Sequence, residues 1–223
     1  MSAPESTRKK IHGILGGTFD PIHYAHLRLA EEIKEELNME HVHLLPSSAP
    51  PHRDKPTASP EQRLKMLQIA TESNQNFIID EREIHRPGVS YTVDTLRDIR
   101  KENPRGPVAL IMGLDAFSKL TTWHEWEEIF SLAHLVIAER AGFESQRTEK
   151  ETCEIFTKKI ENNRISDKNL LFSSSAGYIY FFKFTGLYIS STILRNKIAL
   201  DMSLRYLLPP AVIEYIKREK LYK

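Results

Sequence analysis

The chain has 223 residues, 40% of them hydrophobic and 27% charged, which gives enough apolar mass for one sizeable core and, by default, one domain. Lys plus Arg number 31 against 30 Asp plus Glu, so a net charge of +1 excludes a broad field that would recruit nucleic acid or a membrane surface. The single cysteine, Cys153, excludes an intrachain disulfide framework, and its carboxylate neighbours Glu151 and Glu154 raise rather than lower a thiol pKa, so it reads as a surface or packing residue.

The opening segment MSAPESTRKK is polar and basic, and the apolar stretch at 11–15 is too short for a signal-peptide core or a membrane span. A frayed tail to about residue 9 and a cytoplasmic location are expected. Residues 11–15 read as a strand ending at Gly16 and Gly17. In the helix that follows, Leu29, Ala30, Ile33 and Leu37 share one face and Glu31, Glu32 and Glu35 the other. A strand at 41–45 leads into residues 46–59, a long loop with four prolines. Loops of that length in compact domains are often functional.

Ser59, Pro60 and Gln62 form a capping box with proline at the first helical position, which predicts a helix to about residue 72. Strands are expected at 77–80 and 108–112 with a helix at 93–101 between them. Thr122 and Glu125 suggest another capping box, opening a helix from Trp123 to about residue 132, and 134–138 reads as a strand. Residues 143–176 are polar and serine-rich, with one amphipathic stretch at 149–160 and no clear strand, and read as a peripheral insertion. A last strand at 177–184 precedes helices near 191–199 and 210–220, a C-terminal helical segment over 190–223. Alternating strand and helix predict an α/β fold: one domain over 1–223, a Rossmann-like doubly wound parallel sheet of about five or six strands with helices on both faces.

The strongest chemical signal is GGTFDPIHYAH over residues 16–26. Gly16 and Gly17 let backbone approach phosphate oxygens, and the free N–H groups of a helix start favour negative charge. The pattern is neither the three-glycine dinucleotide fingerprint nor a phosphate-binding loop, since no Lys follows the glycines. Other donors must neutralise phosphate, and His23 and His26, three residues apart at a helix start, can lie side by side to do so. A zinc site built on them lacks further ligands, because the one cysteine is distant in sequence and no His-Glu-x-x-His run is present. The second signal is ISSTILR over residues 189–195, where Ser190, Ser191 and Thr192 open a helix and Arg195 follows four residues after Ser191. Hydroxyls, helix-start amides and a guanidinium can grip one phosphate chain.

The two motifs together resemble the paired signatures of the adenylyltransferase superfamily defined by a His-x-Gly-His motif, with Ala25 in place of the family glycine. Three further stretches narrow the resemblance to the bacterial nicotinate mononucleotide adenylyltransferases over nearly the whole chain. Pro50, Pro51, His52 and Arg53 resemble the family's substrate loop; residues 90–96, SYTVDTL, resemble its substrate-side turn; and Gly113, Leu114 and Asp115 followed by Trp123 and Trp126 resemble its nucleotide and ring-stacking segment.

That resemblance implies an enzyme joining ATP and nicotinate mononucleotide, in which His23, His26 and Arg195 contact the phosphates of ATP. Gly16, Gly17, Thr18, Phe19, Gly113, Asp115, Ile189, Ser190, Ser191 and Thr192 would line the ATP seat. His52, Tyr91, Thr92, Trp123 and Arg140 would face the acceptor, with Ser47 standing where relatives often carry asparagine. Mg²⁺ would be held by phosphate oxygens rather than by protein side chains. Neither nucleic acid nor a membrane is an expected partner, and the chain is expected to be a monomer or small homo-oligomer. The amide nicotinamide mononucleotide, another phosphorylated acceptor, or a nucleotide-binding regulator with a dead site are the competing readings, with a metal-binding structural role on His23 and His26 a more distant one.

Overall fold

The computed structural model describes residues 10–48, 56–140 and 154–223. Among these, seven strands form one sheet in which every neighbouring pair is parallel. In chain order they are β1 (His12–Gly17), β2 (Val42–Pro46), β3 (Phe77–Ile79), β4 (Val108–Gly113), β5 (His134–Arg140), β6 (Arg164–Ile165) and β7 (Ile179–Phe184), arranged β3-β2-β1-β4-β5-β7-β6. The helices are α1 (Tyr24–Glu36), α2 (Pro60–Thr71), α3 (Arg82–His85), α4 (Thr92–Glu102), α5 (Leu114–Phe117), α6 (Trp126–Leu132), α7 (Glu154–Asn163), α8 (Ser191–Ala199) and α9 (Pro210–Arg218). No helix among the described residues is long and apolar enough to cross a membrane.

Side chains of a strand alternate between faces, and both faces of this sheet are covered. Leu15, Ile111, Val136 and Ala138 point into one core with Leu29, Ala30 and Ile33 of α1 and Val212 and Ile216 of α9. Their neighbours Ile14, Leu110, Leu135 and Ile137 point the other way, against Val93, Leu96 and Ile99 of α4 and Ile129 and Phe130 of α6. This is why the strands read as continuous apolar runs. The capping box at Ser59 forms as expected: the Ser59 hydroxyl accepts from Gln62 N–H and the Gln62 side chain accepts from Ser59 N–H, with Pro60 opening α2.

Two expectations are corrected. The sheet has seven strands rather than five or six, because Arg164 and Ile165 pair with Ile179 and Tyr180 at its edge. A two-residue strand is too short for alternation to show, so the stretch 143–176 looked strandless. The same stretch supplies α7, whose Phe156 is 1% exposed, and Leu171, which is fully buried. The second correction concerns Thr122. Its hydroxyl donates to Lys119 O within a 3-10 turn (Leu120–Thr122), so it caps no helix. Trp123 is extended, Glu125 turns left-handed at φ 48°, and α6 begins only at Trp126. Trp123 and Trp126 therefore do not share a helical face.

Candidate active site

The strand order reverses between β1 and β4: β2 and β3 lie on one side, β5, β7 and β6 on the other. Ligands of open α/β sheets bind beyond the carboxyl ends of strands at such a point. Leu15 stands opposite Ile111, so Gly16 and Gly17 end β1 beside Met112 and Gly113 of β4. A Cβ at Gly16 or Gly113 would meet nothing within 4 Å, so open space lies over both strand ends. At Gly17 an added Cβ would come within 2.8 Å of the Phe19 ring. Phe19 is 1% exposed and has φ 50°, and Ile189 is also buried, so neither side chain is open to a ligand.

The β1–α1 turn delivers His23 as the cap of α1 and His26 one turn into it. Their rings stack at 3.8 Å between centroids with 23° between planes, and Phe19 meets His26 edge-on at 5.1 Å. His23 is 3% exposed, whereas His26 is half-buried and the more open of the pair. No acidic residue occupies the first turn of α1, so the helix start keeps its positive character.

The second motif meets the first at this turn. Ser190 caps α8 by accepting from Ile193 N–H, and the Ser191 hydroxyl donates to Pro21 O at 3.0 Å. Arg195 donates through Nη1 to Asp20 O at 2.7 Å, and its Nη2 reaches the Thr192 hydroxyl at 3.4 Å. Thr192 itself is exposed. The start of α8 and Arg195 thus pack on the turn that leads into the two histidines. Asp115 lies exposed on α5, two residues after Gly113.

Three residues that sequence reasoning did not assign hold this turn in place. Asp20 is 4% exposed, and its carboxylate accepts from Thr57 N–H at 2.9 Å, Ala58 N–H at 3.2 Å and the Tyr222 hydroxyl at 2.8 Å. Burial and the adjacent carboxylate push the Tyr222 phenol far up, so its O–H remains a donor. Arg63 is fully buried and donates to Thr18 O and Ser47 O, both at 2.7 Å, and to Ser48 O at 2.8 Å. One signal for Arg63 stood in the sequence: it falls on the buried face of α2 with Met66 and Leu67. Asp20 lay inside the first motif unexplained, and Tyr222 left no signal.

Among the residues expected to face the acceptor, Ser47 N–H donates to Gly17 O at 3.0 Å while its hydroxyl is buried without a hydrogen-bond partner. Tyr91 caps α4, which Thr92 opens, and the Tyr91 ring lies 4.3 Å from that of His124, next to Trp123 in the chain. Tyr91 and Trp123 pack on the same apolar cluster. Trp126 packs edge-on against Phe130 and Phe156, as a core residue would. His52, with Pro50, Pro51 and Arg53, lies outside the described residues, as do Cys153, the tail 1–9 and the side chain of Arg140. A cavity of about 1010 Å³ opens between Tyr24, Leu204, Leu208, Ile213 and Leu221, and His23, His26 and Arg195 do not line it. Among the described residues no three His, Cys, Asp or Glu side chains are grouped to hold a metal ion.

A doubly wound parallel sheet with a glycine-bearing strand end, paired histidines at a helix start and a converging arginine defines an α/β protein built to bind a phosphorylated ligand. The cytidylyltransferase-like family model matches residues 14–197. A relative from Methylococcus capsulatus named "Probable nicotinate-nucleotide adenylyltransferase" is 45% identical over 94% of this chain and 98% of its own. One of the same name from Dechloromonas aromatica is 42% identical over 95% and 97%. The chain belongs to the cytidylyltransferase-like family and, within it, to the nicotinate-nucleotide adenylyltransferases. A structure titled Plasmodium falciparum nicotinic acid mononucleotide adenylyltransferase complexed with NaAD shares the fold, with a TM-score of 0.70 at 20% identity over 96% of this chain and 97% of that one.

Proposed function

We propose that this site transfers the adenylyl group of ATP to nicotinate mononucleotide, giving nicotinate adenine dinucleotide and pyrophosphate, a step of NAD biosynthesis. The observation that carries the reading is the convergence of His23, His26 and Arg195 on the β1–α1 turn at the switch point of the sheet. The acceptor's 5′-phosphate oxygen attacks the α-phosphorus as the bond to the β-phosphate oxygen breaks, and pyrophosphate leaves with the bonding electrons. The attacking oxygen is already anionic, so no general base is needed. Catalysis rests on alignment and on donors placed where charge develops.

In this scheme the open ends of β1 and β4 at Gly16, Gly17 and Gly113, with Asp115, receive the adenosine. Thr18 and the backbone of Phe19 and Ile189 line the phosphate chain. His26 donates to it with His23 stacked behind, while Ser190, Ser191 and Thr192 present the start of α8 and Arg195 holds the departing pyrophosphate. Ser47, His52, Tyr91, Thr92, Trp123 and Arg140 are assigned to nicotinate mononucleotide. Mg²⁺ would arrive on the phosphate oxygens of ATP and neutralise part of their charge.

Pyrophosphate release from ATP with Mg²⁺, measured in parallel with nicotinate mononucleotide and nicotinamide mononucleotide, tests the reading. A strong preference for the acid is expected. Preference for the amide would reassign the acceptor and keep the chemistry, and silence with both would overturn adenylyl transfer to a pyridine nucleotide.

A further inference from the structure

The carboxylate of Asp20 faces four donors from three distant parts of the chain. Oδ1 accepts from the Tyr222 hydroxyl and Ala58 N–H, Oδ2 accepts from Thr57 N–H, and Arg195 Nη1 stands 3.8 Å from Oδ2. The same Arg195 nitrogen donates at 2.7 Å to the backbone oxygen of Asp20. Arg195 is therefore fixed by the carbonyl of Asp20 and held just short of a close ion pair with its carboxylate. Two backbone N–H groups and one phenol already occupy the carboxylate. If the phenol were removed, Oδ1 would lose a donor while buried, and among the described residues Arg195 is the cation within 4 Å of that carboxylate and so placed to move onto it.

We propose that Tyr222 and Asp20 are positioning residues for Arg195. By satisfying the carboxylate, Tyr222 keeps the guanidinium aimed at the phosphate seat instead of collapsed onto Asp20. Tyr222 is 8% exposed and touches no reacting atom in this scheme, so its effect runs wholly through Asp20 and Arg195. The inference rests on the adenylyl-transfer reading above, with Arg195 on the pyrophosphate side.

The test is kinetic, on full-length wild type, Tyr222→Phe, Arg195→Lys and the double variant, in the forward reaction and in the reverse reaction with nicotinate adenine dinucleotide and pyrophosphate. Tyr222→Phe keeps the ring and removes only the hydroxyl. Its forward kcat is expected to fall about tenfold and its KM for pyrophosphate to rise by a similar factor, with KM for nicotinate mononucleotide and Tm unchanged. The double variant is expected to lose little more than Arg195→Lys alone, because both changes act through one guanidinium. An active wild type with an indifferent Tyr222→Phe, or a loss that falls equally on both substrates with a lowered Tm, would overturn the inference alone. A wild type silent in both directions would overturn the adenylyl-transfer reading and this inference with it.

Discussion

His26 is the more open of the two stacked histidines, and in the proposed scheme its removal deletes a donor used where charge develops in the transition state. His26→Ala is expected to lower kcat about a hundredfold, on the order of 3 kcal/mol, with ATP still bound; turnover at the wild-type rate with intact ATP binding would remove His26 from the proposed phosphate contacts. What made the histidines and Arg195 legible in the sequence is local spacing: three and four residues along a helix place side chains on one face whatever the rest of the fold does. Asp20, Arg63 and Tyr222 lacked that advantage. Arg63 meets Thr18 across 45 positions and Tyr222 meets Asp20 across 202, distances over which only the assembled sheet brings groups together.

At the scale of elements, the central strands β1, β2, β4 and β5 were readable because they are buried on both faces, and the helices because their apolar faces repeat. Thr122 misled because a capping pattern is only a local preference. Arg97 of α4 pairs with Asp94, Glu125 and Glu128, and the chain turns left-handed at Glu125, so α6 starts after it. Phe156 is the fully buried residue of helix α7, with Ile160 packed against the same core and Lys159 over the Phe130 ring. Phe156 lies 5.2 Å from Phe117 and 5.5 Å edge-on from Trp126, deep in the core beside α5 and α6. Phe156→Ala is expected to destabilise the protein by about 3–5 kcal/mol, read from chemical denaturation. A change near zero would mean that α7 contributes nothing to the core.

Across the whole molecule, histidines buried in the neutral form tie stability to pH. His12 and His43 face each other at 4.0 Å, and burial pulls both below the ordinary histidine range, His43 to about 4 with the neighbouring His12 charge adding to the effect. Asp80 works against the shift at both rings and Arg82 with it, and His41 lowers His43 further. His134 is fully buried; its Nδ1 accepts from Tyr178 N–H and its Nε2 lies 3.1 Å from Ser174 O, which fixes the neutral ring protonated at Nε2. Burial lowers its pKa as well.

Folded values below the unfolded value of about 6.5 mean that the unfolded chain binds more protons, so this stability is complete above about pH 6.5 and drains away toward about pH 4. Glu83, whose carboxyl burial raises, works in the opposite direction. Tm is expected to fall between about pH 7 and pH 5, and His43→Gln to flatten that slope. An equal slope in the variant would remove His43 from the account.

The long reach from Asp20 to Tyr222 also sets an order in time. During synthesis the histidine turn emerges early, its neighbour strand β4 follows nearly a hundred residues later, and the phenol that completes the Asp20 carboxylate arrives later still. The nascent chain on the ribosome therefore carries His23 and His26 long before it carries Tyr222, the residue proposed to support Arg195, and full activity is expected only of chains whose translation has passed Tyr222.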